Sequence, residues 1–173
     1  MSINRRYPLG TMEESIAGDI DFDACVQAIR DFPRSLCLRF DDLSESELAL
    51  TYREDSWDIK TLVHHCADSH MHAILRIKWA LTEDVPGVNG YNEGPTATLA
   101  DYALPIEASL SLLDGLHARL AHLLDSLTPE ERKRTYLHTG HNKTFTIAET
   151  AAMYAWHGKH HLAHIELALG LLK

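Results

Sequence analysis

Twelve histidines stand among 173 residues, and they are clustered, in His64-His65-Cys66-Ala67-Asp68-Ser69-His70-Met71-His72 and in His157-Gly158-Lys159-His160-His161-Leu162-Ala163-His164. Two imidazoles four positions apart on a helix share one face, with Cβ atoms about 5–6 Å apart. That spacing suits neighbouring positions on a metal ion, since zinc takes imidazole nitrogen at about 2.0–2.1 Å. In so histidine-rich a chain the spacing alone is weak evidence, because one such pair is expected by chance. Direction separates the pairs. At about 100° per residue, and with Tyr154 at zero, the apolar stripe Ile147, Gly158, Ile165, Ala168 and Leu172 falls within about 40°. His161 lies about 20° from that centre and His157 about 60°, whereas His164 lies about 80° away and His160 about 120°. The pair His157/His161 therefore points inward, and His160 is expected to point mostly outward.

A third ligand has its obvious source in the segment from His64 to His72. The stripe Ile59, Leu62, Cys66, Ala73, Ile77 makes His70 the best-buried histidine there, with His65 on the flank and His64 facing away. Geometry alone favours His70, although a groove can be served from a flank, so periodicity leaves the choice between His65 and His70 open. Buried imidazoles need partners for both ring nitrogens. A lone core histidine is usually structural, but two inward histidines one turn apart, facing a second cluster, point to a metal.

The elements that must position these groups are helical. The first long pattern covers about residues 22 to 40, with Pro33 as a kink or break, and a short helix follows at Ser44–Leu50. The second runs from about Ile59 to Thr82, with Ser56 or Asp58 as its cap. A connection of about twenty residues, Glu83 to Leu104, comes next, and loops that long in compact domains are usually functional or disordered. The third helix opens with Pro105 and runs to Leu127. Thr128-Pro-Glu-Glu starts another short helix, and Tyr136 to Phe145 suits a small hairpin. The last helix, to Leu171, opens at Thr146 with the capping box Thr-Ile-Ala-Glu149. These elements predict an all-α four-helix bundle with short extra helices, one domain over residues 1–173.

Composition bounds the rest. The 45% apolar and 24% charged residues are those of a globular chain. No apolar run reaches the roughly 18 residues of a membrane span, and the first ten residues lack an apolar leader core. A net charge of −9 offers no basic face for nucleic acid. Cys25, Cys37 and Cys66 are scattered and odd in number, which suits a reducing cytoplasm. No serine–histidine–aspartate set, phosphate-binding glycine loop or dinucleotide fingerprint is present.

Three segments carry a resemblance that spans nearly the whole chain. They are Arg6-Tyr7-Pro8-Leu9-Gly10; Tyr52-Arg53 and Trp57 followed by Leu62-Val63-His64-His65-Cys66-Ala67-Asp68-Ser69-His70-Met71; and Tyr154-Ala155-Trp156-His157 through His160-His161-Leu162-Ala163-His164-Ile165. In order and spacing they resemble the YfiT-like branch of the DinB superfamily, which implies a DinB-like four-helix bundle. The resemblance also implies three metal-binding histidines, His65, His157 and His161, and so selects His65 over His70. Cys66 departs from the family's usual leucine; it reads as a core residue, with a fourth soft ligand as the alternative.

Three neutral imidazoles leave a coordination position open, as catalytic sites do. A divalent ion there, zinc or nickel, brings a water's pKa towards about 7 and supports hydrolysis. The resemblance equally implies thiol S-transfer with bacillithiol or mycothiol, so the partners expected are a small-molecule substrate or a low-molecular-weight thiol. It implies a homodimer as well. A non-catalytic metal-binding module is the third reading. Asp68, one turn from His65, is expected to orient the free nitrogen of that ring, and Glu93, in the long loop, is the candidate general base. His138 and His141 are expected at the surface, His117 and His122 to be structural or exposed.

Overall fold

The computed structural model describes residues 3–40 and 43–172. Four long helices carry it: α2 (Phe22–Cys37), α4 (Ile59–Thr82), α6 (Glu107–Asp125) and α8 (Ile147–Ala168), with single-turn helices α1 (Met12–Ser15), α3 (Glu45–Leu48), α5 (Glu93–Thr96) and α7 (Pro129–Arg132) between them. Starts follow side-chain chemistry. Asp58 caps α4 by accepting from the Thr61 amide at 2.8 Å, and Thr146 and Glu149 close a reciprocal capping box on α8. Pro33 lies inside α2 without breaking it. Helix α6 begins at Glu107, two residues beyond the expected Pro105, after a 3-10 turn at Ala100–Ala103.

Helices α2 and α4 each pack on both α6 and α8. Two apolar clusters fill the bundle. One joins Phe22, Val26 and Ile29 to Ile74, Ile77 and Ala80, to Leu120 and Leu124, and to Ile147 and Ala151. The other joins Phe32 and Leu36 to Ile59, Leu62 and Cys66, to Leu113, and to Ile165 and Leu167. The first half of α2 thus meets the second halves of α4 and α6 and the first half of α8. It follows that α2 and α8 run one way, and α4 and α6 the other. Two consecutive long helices in the same direction need a connection that travels back along the bundle, which is why the segment between α4 and α6 is so long.

That crossover runs down α4, fastened by Lys60 Nζ donating to the Ala103 carbonyl at 3.0 Å and by the Tyr102 hydroxyl donating to Asp68 at 2.8 Å. It starts with β1 (Gly87–Val88), which pairs in parallel with β2 (Thr135–His138), Gly87 opposite Leu137. Strand β2 pairs antiparallel with β3 (Lys143–Thr146), Tyr136 opposite Phe145. The expected hairpin is therefore present, with a third strand that two residues of sequence did not announce. None of the described helices is long and apolar enough to cross a membrane.

Candidate metal centre

Where the two apolar clusters meet, the core turns polar. His65 and His70 from α4, His117 from α6 and His157 and His161 from α8 lie there, with Phe32 of α2 stacked on His70 at 5.3 Å between ring centroids. Gly158 makes room for that ring: a Cβ at this position would stand 2.8 Å from Phe32 Cδ2. The close approach belongs to helix packing, and through Phe32 it bears on the histidines.

One ring nitrogen from each of His65, His157 and His161 lies within 4.8 Å of the others. The Nε2 atoms of His65 and His157 stand 3.2 Å apart. Two ligands of a tetrahedral ion at about 2.0–2.1 Å would be separated by about 3.3 Å, so this spacing fits a divalent metal. Burial holds the His65 imidazolium off until about pH 4. Burial and then the neighbouring histidines push His157 and His161 well below the ordinary histidine value. All three are neutral at physiological pH, the form that binds metal.

The partners of these rings determine which nitrogen carries hydrogen. His117 Nδ1 is 2.6 Å from the Ile29 carbonyl, which can only accept, so that nitrogen donates. Neutral His117 then accepts at Nε2 from His70 Nδ1 at 2.8 Å. His70 in turn accepts at Nε2 from His157 Nδ1 at 3.0 Å. The chain of three imidazoles leaves the lone pair of His157 on Nε2. A second chain works the same way. His164 Nε2 donates to the Arg6 carbonyl at 3.3 Å, and its Nδ1 faces His161 Nδ1 at 3.4 Å, leaving His161 Nε2 free to coordinate. His65 Nδ1 meets the Tyr91 hydroxyl at 3.1 Å, and Trp57 lies against the ring at 4.8 Å between centroids. An ion at the site requires the His65 hydrogen on Nδ1, where the Tyr91 oxygen can accept it.

Several expectations change. His70 is the most buried histidine, at 0% exposure, yet it supports His157 instead of joining the three, because both its nitrogens are engaged by other imidazoles. Asp68 does not orient His65: its carboxylate takes the Tyr102 hydroxyl, and Tyr91 holds the position foreseen for it. Cys66 is buried in the apolar cluster and lies outside the three-histidine group; burial pushes its thiol far up. His64 does not face away. The crossover covers it, with Nδ1 2.8 Å from Ser109 Oγ and Nε2 3.1 Å from the Leu104 carbonyl. His160 is buried too, stacked between Trp156 at 4.3 Å and Tyr7 at 6.2 Å, because the N-terminal segment covers that face. His138 is buried and His141 exposed, and His122 is exposed as expected.

A cavity of about 150 Å³ adjoins the histidines, lined by His157, Tyr91, Glu93, Tyr154 and Arg76 among others. Glu93, the candidate base, therefore shares a wall with a candidate ligand. Desolvation raises its carboxyl above the ordinary value, opposed by His141 and Arg76. Tyr91, His117 and His164 were missed as supporting residues. Only the length of the crossover drew attention to Tyr91, and one helix pattern cannot show which histidine of another helix it will meet.

Fold and site together define a histidine-centred four-helix bundle equipped for a metal ion. The chain belongs to the DinB superfamily, whose model matches residues 28–165. A relative from Halalkalibacterium halodurans named "putative metal-dependent hydrolase" is 43% identical over 96% of this chain and 98% of its own. One of the same description from Oceanobacillus iheyensis is 41% identical over 94% and 95%. Among solved structures, YfiT from Bacillus subtilis, described as a "probable metal-dependent hydrolase with an unusual four-helix bundle topology", superposes with a TM-score of 0.88 at 32% identity, over 98% of both chains. These likenesses bear out the DinB-superfamily, YfiT-like resemblance read from the sequence.

Proposed function

We propose that the protein is a metal-dependent hydrolase in which His65, His157 and His161 hold one divalent ion, zinc or nickel. The observation that carries this reading is the convergence of three neutral ring nitrogens within 4.8 Å, two of them with tautomers set through hydrogen-bond chains that end on backbone carbonyls. When bound, the ion supplies Lewis acidity that activates water near neutral pH. The remaining work falls to the chain. His70 and His117 keep the Nδ1 hydrogen of His157 in place, and His164 does the same for His161. Tyr91 does it for His65. Outer partners of this kind orient a ligand and raise its basicity.

Glu93 is our assignment for the group that accepts a proton from the attacking water, at its carboxylate. It faces the cavity beside His157, and the upward displacement of its carboxyl brings it nearer the pH at which a base works best. The test is hydrolysis of small esters and amides by protein loaded with zinc or nickel. Wild type turns over, and His157→Ala, at retained helicity, loses turnover to the level of buffer. Equal turnover in that variant would discard the site.

A further inference from the structure

Arg76 is a buried cation with no carboxylate in salt-bridge contact among the described residues. It lies on α4 at 6% exposure, donates from Nη1 to the Tyr154 hydroxyl at 2.9 Å, and leaves Nε with no hydrogen-bond partner. None of the ion pairs among the described residues includes it. A guanidinium taken out of water loses hydration that protein hydrogen bonds must replace, and here one phenol replaces only part of it. The side chain lines the same cavity as His157. Met12, Phe145 and Met153 supply apolar walls. Glu93, the carboxylate on this wall, is close enough for Arg76 to lower its pKa but forms no ion pair with it.

We propose that Arg76 is the binding site for a carboxylate of the substrate, so that the hydrolysed molecule is a small organic acid whose charged end enters the cavity while its scissile ester or amide lies at the histidines. This rests on the hydrolase reading above and adds the substrate class to it. The planar guanidinium matches a carboxylate in two parallel hydrogen bonds. Glu93 on the same wall repels any anion, and it opposes a dianionic phosphate more strongly than a single carboxylate. A cavity of about 150 Å³ is the size that admits a six-carbon ring, which limits the buried part of the substrate to a short chain.

The probes are the monohydroxamates of succinic and glutaric acid and their terminal carboxamides, which match the acids in shape but carry no charge. Binding to zinc-loaded protein is measured by calorimetry, the hydroxamate serving as the metal anchor. The acid of at least one length binds roughly ten- to hundredfold more tightly than its amide, Arg76→Gln removes that preference, and Arg76→Lys retains part of it. Equal affinity of acid and amide in the wild type overturns the Arg76 site while leaving the metal reading standing. Failure of every hydroxamate to bind overturns both.

Discussion

The apolar clusters and the histidine layer between them are held in different ways, and the layer is the less completely buried, with His157 only half-buried. Around Ile77, Leu124 and Ile147, area and fit decide, and apolar side chains that keep the volume and shape would serve. In the layer, each ring must satisfy two nitrogens and stack on a neighbour. His70, for instance, contacts His117 and His157 through hydrogen bonds and Phe32 through its face. The first region stabilises the fold; the second sets direction, bringing one ring nitrogen of each of His65, His157 and His161 within 4.8 Å of the others. Stability and metal affinity should therefore respond to different residues.

The largest effect of a single substitution is expected in the apolar cluster. Ile77→Ala should lower unfolding free energy by about 2–5 kcal/mol, read by urea titration of metal-free protein, with the intrinsic zinc affinity of the folded fraction unchanged. Parallel loss of zinc affinity would show that the two regions are not separable. Next comes His70→Leu. Removing this ring strands the Nδ1 hydrogen of His157 and should weaken zinc binding about 10- to 100-fold, although residue 70 is not itself a ligand. Affinity equal to wild type would reduce the imidazole chain to packing.

The most gradual effect concerns pH. Unfolded histidines take up protons near pH 6.5, whereas burial delays His65 and His160 to about 4 and His164 to about 3 in the fold. Between those values the unfolded chain binds more protons, so stability is full above about pH 6.5 and falls as acid is added. Metal-free protein should lose urea resistance steadily between about pH 6.5 and 4.5; a flat profile would mean that these rings ionise freely in the fold.

The helical order, the caps at Asp58, Thr146 and Glu149, and the inward direction of His157 and His161 were legible because each depends on residues within a turn or two. Burial of His64, His138 and His160 was not. In each case the covering came from a distant segment: the crossover over His64, the small sheet around His138, and Tyr7 over His160. The choice of His65 over His70 was equally invisible to periodicity, since His70 has the better-buried direction. Its Nδ1 is taken up by His117, which arrives from 47 positions away. The strand β1 escaped notice because two residues have no period.

The central claim is that the lone pairs of residues 65, 157 and 161 act together on one ion. Calorimetric titration of chelator-treated wild type and of the three single alanine variants with zinc tests it directly. One equivalent should bind to the wild type and none to any of the variants at comparable concentration. Full occupancy in all three variants, or no uptake by the wild type, would contradict it.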